Sequence, residues 1–418
     1  MTVRRRVGAL ALAALVLLGA AIATAGPDAI PASGLGGGPG WVRGLYGDGL
    51  GVGGGALIWL ERGALVAYAA VLLCAPALPS RWLWIAMSGL VAAFAASGPL
   101  LSLDVFSYAS YARLEALHGL NPYEAVPADV PGDSALPFLI DNRDVSSAYG
   151  PLFTLVTLPL AQLGLGWAVF SLKAVAAASV LGTAGLAARL AVARGLDPRP
   201  AAALVALNPV VLVHVVGGGH NDALAALLMA AGASAAVAGA AAGGAAGLVA
   251  AVAIKASSAF LLPFALIQGW VRDRRLLVGI AVLGLLAAGA ALLAFGPPLG
   301  SIWDVAAENQ RRGTSLSLPS LLADELGAGR SAVRDLMRDL SLAACLVLLG
   351  GVWLRGWDWI RAGAWAGFLL LAGSNYLPPW YLILPLPLVA VSRDRSLVVA
   401  SVLLTALLLR QQVPGLGA

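Results

Sequence analysis

Charged residues are scarce in this chain of 418 residues, because Asp, Glu, Lys and Arg together make up only 11% of it. Soluble domains carry about 25%. Hydrophobic residues account for 60% of the chain, and they gather into runs of roughly 17–25 residues, the length that spans a bilayer as a helix. The period-two alternation of an outer-membrane barrel is missing, which excludes that class. We therefore predict an all-α polytopic membrane helix bundle.

Residues that hold metals or form disulfides are also few. The chain has two cysteines and three histidines, and Cys74 and Cys345 both lie in apolar runs, which argues against a disulfide or a metal cluster. It contains no Asp-x-Asp pair, Walker loop or dinucleotide fingerprint. We expect no cofactor and no nucleotide-sugar donor. The arginines stand in short loops without an aromatic stripe, so nucleic acid is not expected as a partner.

About eleven apolar stretches are long enough to predict full membrane crossings. They are residues 7–25, 55–78, 83–101, 167–192, 200–216, 222–242, 276–295, 339–356, 360–374, 379–391 and 396–411. Two further stretches, 152–164 and 247–269, are predicted to be broken helices that do not cross. If they crossed, several arginine clusters would face outward, against the positive-inside rule.

With the arginine clusters on the cytoplasmic side, these crossings place loops 102–150 and 296–338 on the outer face of the plasma membrane. The turn 217–222 and the glycine-rich loop 33–55 should lie on the same side. We expect residues 1–418 to form one domain. Three arginines precede the first apolar run. They fit a cleaved signal peptide or a retained first helix, and we expect the retained helix.

Polar chemistry concentrates in the loop 102–150, which should carry an interfacial helix. Asp104, Tyr108 and Glu115 recur at helical spacing and can share one face. Asp104 can act as a general base towards a hydroxyl group, or it can simply complement the helix dipole. The sequence alone favours neither reading.

Three other residue sets in this loop are candidates for binding a substrate. Asn121 and Tyr123 flank a proline, and Tyr149 precedes Gly150-Pro151; such turns place a tyrosine near the membrane surface. For each tyrosine, however, the pattern favours a brace of the loop within an aromatic belt over direct contact with substrate. Arg143 can hold a phosphate or form a local ion pair.

Two polar sites in apolar surroundings lie further along the chain. Gly217–Gly219 is followed by His220, Asn221 and Asp222; the glycines let the backbone approach a ligand, although a helix cap also explains Asn221 or Asp222. Lys255 lies in an apolar stretch, where a charge is costly and so is a functional candidate. It can neutralise a lipid-borne phosphate or snorkel to the interface.

A last cluster comes near the end of the chain, at residues 374–381. It contains Asn375, Tyr376, Trp380 and Tyr381 beside prolines. These aromatic side chains can line a groove for an acyl or isoprenoid chain. An aromatic belt at the membrane surface explains Trp380 and Tyr381 nearly as well.

Taken together, these motifs resemble those of the GT-C integral-membrane glycosyltransferases, and more closely those of the polyprenol-phosphomannose-dependent α-(1→6)-mannosyltransferases. The matching segments are Asp104–Tyr108 (DVFSY), Gly119–Tyr123 (GLNPY), Tyr149–Leu152 (YGPL), Asn208–Leu224 (NPVVLVHVVGGGHNDAL) and Pro379–Tyr381 (PWY). The resemblance implies that Asp104 is the catalytic base. It also implies that the donor is a polyprenyl-phosphate sugar, with mannose as the expected hexose.

The sequence thus predicts a glycosyltransferase that mannosylates a glycolipid or cell-envelope polysaccharide at the outer face. The leaving phosphate would stay on its lipid and be neutralised by Lys255 or a loop arginine. The alternative is a transporter or flippase for an envelope lipid, in which Lys255 and the 220–222 group would line a pathway through the bilayer.

Overall fold

A computed structural model of the protein describes residues 2–26, 44–47, 49–140 and 142–410. Within these ranges the regular structure is helical, apart from an isolated bridge between Gly44 and Ser97. The all-α prediction is confirmed. Much of the loop predicted at 33–55 lies outside the described residues.

The α-helices follow one another along the whole described chain. They are α1 (Val3–Ala23), α2 (Gly54–Cys74), α3 (Ser80–Ala96), α4 (Asp104–His118), α5 (Pro151–Thr157), α6 (Leu165–Ala193), α7 (Pro198–Ala206), α8 (Asp222–Val237), α9 (Ala241–Ile254), α10 (Leu262–Arg272), α11 (Arg274–Phe295), α12 (Ser301–Arg312), α13 (Leu318–Leu326), α14 (Arg330–Arg355), α15 (Trp359–Gly373), α16 (Leu386–Val389) and α17 (Arg395–Leu408). A π-helical turn, Val211–Gly217, follows α7. Short 3₁₀ segments include Leu158–Leu163, Ala256–Leu261 and Pro379–Ile383.

Five of the described helices are long and apolar enough to cross a membrane: α1, α2 with its 3₁₀ extension, α6, α11 and α14. A sixth span results if α7 and the π turn, which meet at 58°, count as one. Other apolar helices of 10–17 residues cover most of the remaining predicted crossings. The protein is therefore a polytopic helical membrane protein, and the total of eleven crossings stays a prediction.

Both stretches that were predicted to be broken are interrupted in the structure. In the first, α5 gives way after Thr157 to a 3₁₀ segment that contains Pro159, a residue without the N–H that an α-helix needs. In the second, α9 ends at Ile254, and Lys255 adopts an extended backbone before the next 3₁₀ segment.

Small residues let helices in the centre of the molecule pack closely. On α8 a Cβ atom at Gly232 would lie 2.7 Å from the backbone nitrogen of Leu248 on α9. One at Gly247 would meet the Gly232 nitrogen at 2.6 Å. The two backbones therefore touch, as is common between membrane helices.

The centre of the molecule is formed by residues 201–223, which are all buried. This stretch runs through α7, the π turn and the 217–222 turn into α8. The segment that leads from α3 to α4 crosses it, and the Leu100 N–H donates to the Gly217 carbonyl at 3.0 Å. This crossing brings the first residue of α4, Asp104, to the 217–222 turn.

Candidate functional site

Asp104 and His220 meet where α4 begins. The Asp104 N–H donates to Ser102 Oγ at 3.2 Å, and Asp104 Oδ2 lies 3.7 Å from His220 Nδ1. The Asp104 side chain is 23% exposed, whereas that of His220 is 0% exposed. The carboxylate therefore stands at the boundary between solvent and the buried turn, which is a suitable place for a group that exchanges protons.

Glycine is required at two positions of the turn for this approach. Gly219 has φ +72, and a Cβ atom there would lie 3.0 Å from Lys173 Cγ and 3.2 Å from Val105 Cγ2. A Cβ atom at Gly217 would meet Leu100 Cδ1 at 2.9 Å. Larger residues would push the turn away from α4. The glycine run thus allows a close approach of the turn to neighbouring protein segments, and the approach to a ligand that the sequence suggested stays a prediction.

Tyr108, one turn after Asp104 on α4, also reaches the 217–222 turn. Its hydroxyl lies 3.2 Å from His220 Nδ1 and donates to Asn221 Oδ1 at 3.5 Å. The Tyr149 ring packs edge-on against it, with centroids 4.6 Å apart. Burial, followed by the negative charge of Asp104, raises the pKa of Tyr108 well above its ordinary value. Tyr108 therefore stays protonated and serves as a hydrogen-bond donor.

Lys255 points into the same cluster from the break after α9. Its Nζ donates to Asp222 Oδ2 at 2.5 Å and, at 3.4 Å, to Asn221 Oδ1. The ammonium also lies 4.7 Å from the centre of the Tyr381 ring, a favourable cation–π arrangement. Lys255 is only 8% exposed, so it is a buried, paired lysine and does not snorkel.

The late motif 374–381 completes the cluster. The Trp380 ring stacks on the His220 imidazole with centroids 3.7 Å apart and an interplanar angle of 14°. Tyr376 and Tyr381 meet edge-on at 6.1 Å. Segments far apart in the chain therefore form one site, with a carboxylate at the rim, an ion pair inside and aromatic walls.

Three polar atoms of the turn have no hydrogen-bond partner among the described residues: His220 Nε2, Asn221 Nδ2 and Asp222 Oδ1. All three residues are buried. A buried polar atom without a partner costs about 1–3 kcal/mol, and proteins keep few of them. These neighbouring atoms include hydrogen-bond donors as well as an acceptor. A ligand with hydroxyl groups, which both donate and accept, could pair with them.

Asn121 and Tyr123 lie outside this cluster and brace the loop 102–150. Asn121 Nδ2 donates to the Phe295 carbonyl at 2.7 Å, and Asn121 Oδ1 accepts from the Tyr123 N–H at 3.1 Å. The Tyr123 hydroxyl donates to the Tyr149 carbonyl at 2.9 Å and lies 2.9 Å from Thr154 Oγ1. The bracing alternative thus has a clear structural basis, and the contact of these two residues with substrate stays a prediction.

The bracing role of Tyr123 predicts a stability effect. We expect Tyr123→Phe to lower the free energy of unfolding by about 1–2 kcal/mol, because the partly buried Tyr149 carbonyl and the buried Thr154 hydroxyl lose a partner. Turnover of the folded protein should change little. Thermal unfolding in detergent, compared with turnover per folded molecule, tests this. A loss of turnover without a loss of stability would contradict the bracing role.

Asn375 and Arg143 complete the predicted set. Asn375 is tied to α12, since its Nδ2 donates to the Gln310 carbonyl at 2.8 Å and its N–H to Gln310 Oε1 at 3.0 Å. It thereby anchors the 374–381 turn to the loop 296–338. Arg143 is exposed on the loop 102–150; no side-chain hydrogen bond between it and the cluster is found within the described residues.

The described part of the chain contains no group of three His, Cys, Asp or Glu side chains placed to hold a metal ion. The cluster instead offers a carboxylate, an ammonium group and neutral hydrogen-bonding side chains. Such a set can move a proton and stabilise an anion without a metal.

Lys173 was not predicted from the sequence to be a functional candidate. It lies in α6 and is 1% exposed, and its Nζ donates to three oxygens of Ser97 and Gly98. The signal was available, because an isolated lysine inside an apolar crossing is a functional candidate by default.

A family model described as "Alpha-(1->6)-mannopyranosyltransferase, N-terminal domain" matches residues 5–272, a range that includes Asp104, the 217–222 turn and Lys255. No solved structure matches the chain.

Two curated proteins are similar to part of the chain, and both are named alpha-(1->6)-mannopyranosyltransferase A. The protein of Corynebacterium glutamicum is 27% identical over 173 residues, which are 40% of this chain and 35% of the relative. The protein of Mycobacterium tuberculosis is 30% identical over 193 residues, which are 43% of this chain and 35% of the relative. The matched part of the chain thus spans about a third of the length of each relative.

Proposed function

The chain belongs to the alpha-(1->6)-mannopyranosyltransferase family, and from that premise we propose that it transfers mannose from a polyprenyl-phosphate sugar to a glycolipid or cell-envelope polysaccharide. The resemblance noted in the sequence is thereby confirmed at the level of the family. The observation that supports the proposed chemistry best is the contact between Asp104 and the buried turn, with 3.7 Å between Oδ2 and His220 Nδ1.

In the proposed reaction Asp104 is the general base. The oxygen of the acceptor hydroxyl attacks the anomeric carbon of the donor sugar, and its proton passes to the Asp104 carboxylate. The bond between the anomeric carbon and the phosphate oxygen breaks, and its electron pair leaves with the phosphate, which stays on the lipid. A base within reach of the hydroxyl contributes typically 10²–10⁴-fold to such a rate.

Lys255 is placed to stabilise the phosphate that leaves. An ammonium group has three N–H donors, and Lys255 directs one at Asp222 and a longer one at Asn221, which leaves a donor for a phosphate oxygen. Its charge is already matched by Asp222, however, so a second cation is needed. The exposed Arg143 on the outer loop is our candidate, and Arg is well suited to phosphate.

The unpartnered atoms of the turn are proposed to hold the sugar. A hydroxyl group can accept from Asn221 Nδ2 while it donates to Asp222 Oδ1, and a second one can accept from His220 Nε2 when that nitrogen carries the proton. These atoms are buried beside Trp380. A site built from buried donors and acceptors discriminates strongly against ligands that leave them unpaired.

The membrane setting supports a donor that is carried on a lipid. The 217–222 turn is buried among apolar helices, where an isoprenoid chain is soluble and a nucleotide is not. The arginine pattern of the sequence favours the outer face for this turn. Family membership also favours a transferase over the transporter that the sequence alone left open.

Product analysis with purified protein in lipid vesicles tests the proposal. Labelled polyprenyl-phosphomannose and a mannose-terminated glycolipid acceptor should yield a product with a new α-(1→6) linkage, and the lipid phosphate should be recovered unlabelled. Replacement of the donor by GDP-mannose is the matched control and should yield none. Label that crosses the bilayer without forming a glycosidic bond would identify a transporter and overturn the proposal.

A further inference from the structure

The buried lysine of α6, Lys173, is hydrogen bonded to the segment that leads to Asp104. Lys173 Nζ donates to the Ser97 carbonyl at 2.5 Å, to Ser97 Oγ at 3.1 Å and to the Gly98 carbonyl at 2.8 Å. Its stem also lies against the 217–222 turn, since a Cβ atom at Gly219 would be 3.0 Å from Lys173 Cγ. One side chain therefore contacts both parts that must meet at the site. All its polar contacts in the described protein are to the segment rather than to the cluster around Asp222.

The segment itself, residues 97–103, has an unusual backbone, and we call it the strap. Leu101 has φ +51, a left-handed conformation that is sterically disfavoured for every residue with a Cβ atom except, at times, Asn and Asp. Leu101 is also 8% exposed, so it does not lie in a free surface turn. Such a conformation persists only where the surroundings impose it, and such sites cluster near functional centres.

The contacts that impose this conformation lie at the start, in the middle and at the end of the strap. At its start Lys173 holds Ser97 and Gly98, and in its middle the Leu100 N–H donates to the Gly217 carbonyl at 3.0 Å. At its end the Asp104 N–H donates to Ser102 Oγ. If the first anchor is removed, Leu101 can relax to a favoured conformation, and the start of α4 then moves with it.

We propose that Lys173 is a positioning residue for the catalytic base: it holds the strap in its left-handed conformation and thereby sets the separation of Asp104 and His220. This inference rests on the proposed function for its kinetic test, and its structural test is independent of that function. Lys173 touches neither the sugar nor the phosphate in this account. Its loss should therefore act on the chemical step and leave donor binding intact.

The first test is Lys173→Met, which keeps an unbranched apolar side chain of nearly the same length and removes the donor. We expect kcat to fall by about 10²-fold, because a displacement of about 1 Å at the reacting groups can cost that much. KM for the lipid donor should stay nearly constant, as is typical when only transition-state interactions are lost. Thr183→Val removes another buried hydrogen bond of α6, from Thr183 Oγ1 to the Ser179 carbonyl, and should change neither constant.

The second test separates positioning from general support of the fold. Leu101→Gly and Leu101→Ala remove the same packing, but only glycine adopts a left-handed backbone without a steric penalty. In the Lys173→Met background, Leu101→Gly should therefore be about tenfold more active than Leu101→Ala, because only the alanine variant still carries the steric penalty of the left-handed backbone. With Lys173 present, the two should be nearly equal. Equal activities in both backgrounds would overturn the proposal.

The third test needs no substrate. Hydrogen exchange of the amides of residues 97–104 should be faster in Lys173→Met than in the native protein, while the amides of α8 stay protected. Unchanged exchange of the strap would overturn the proposal even if no transfer activity is found with any donor. Full kcat in Lys173→Met, together with an inactive Asp104→Asn, would refute the positioning role and leave the proposed function standing.

If Lys173→Met does not fold, Lys173→Gln takes its place, because its amide keeps a polar group at the buried site but is one atom shorter than lysine and uncharged, and so cannot hold all three strap oxygens. The proposal then requires a lower kcat at constant KM, and the same preference for glycine over alanine at residue 101. Native kcat in Lys173→Gln, with no difference between the two residues at 101, would refute it.

Discussion

Asp104→Asn should lower kcat by about 10²–10⁴-fold, which is the range that a general base contributes. The amide has nearly the same shape as the carboxylate, but it cannot take the proton of the acceptor hydroxyl. The contact near His220 at 3.7 Å tolerates an amide sterically, so the variant should fold. Turnover of labelled polyprenyl-phosphomannose per folded molecule measures the effect, and Asp104→Glu, which keeps a displaced carboxylate, should be intermediate.

The same variant decides between the two readings that the sequence left open for Asp104. A carboxylate in the first turn of a helix also complements the helix dipole, typically by 0.3–1 kcal/mol. Asp304 occupies the first turn of α12 and is exposed, so Asp304→Asn removes a comparable dipole interaction away from the cluster. It should leave turnover unchanged. Normal turnover by a well-folded Asp104→Asn protein would refute the assignment of Asp104 as the base.

Lys255→Met should damage both stability and turnover. The substitution leaves the Asp222 carboxylate, which is 0% exposed, without its partner at 2.5 Å. Removal of one member of a buried ion pair costs about 3–5 kcal/mol. It also removes the ammonium group that is proposed to meet the leaving phosphate. Thermal unfolding and turnover, measured on the same preparation in detergent, report the two effects.

The double variant Lys255→Met/Asp222→Asn separates these two roles. It removes both charges, and a neutral pair in place of a buried ion pair is often tolerated. We expect stability to recover most of the loss, while turnover stays low because the leaving group has lost its cation. Recovery of turnover along with stability would show that Lys255 is needed only for the fold, and a loop arginine would then carry the phosphate role alone.

Much of the site could be predicted from the sequence because polar residues are so rare in this chain. In an apolar background the run Gly217–Asp222, the lone Lys255 and the helix that begins at Asp104 each stand out, since a buried polar group must have a reason to be there. The structure brings these segments together, although they are separated by more than a hundred residues at the widest. The breaks after Thr157 and at Lys255 were also visible as conflicts with the charge pattern.

The roles within the outer loops could not be read from the sequence, because they depend on partners distant in the chain. The Asn121 amide is used by Phe295, and that of Asn375 by Gln310. Neither pairing leaves a local pattern. The left-handed Leu101 is likewise invisible, since leucine gives no signal for such a backbone. Nor could the number of crossings be predicted from composition, because short apolar helices that pack inside the bundle have the same composition as short spans.

A single-turnover experiment tests the central claim most directly. Native protein and Asp104→Asn are each loaded with labelled polyprenyl-phosphomannose in vesicles and then mixed with excess glycolipid acceptor. The account predicts that both bind the donor equally, that the native protein passes the label to the acceptor, and that the variant retains it on the lipid carrier. Transfer of the label by Asp104→Asn at the native rate would contradict it.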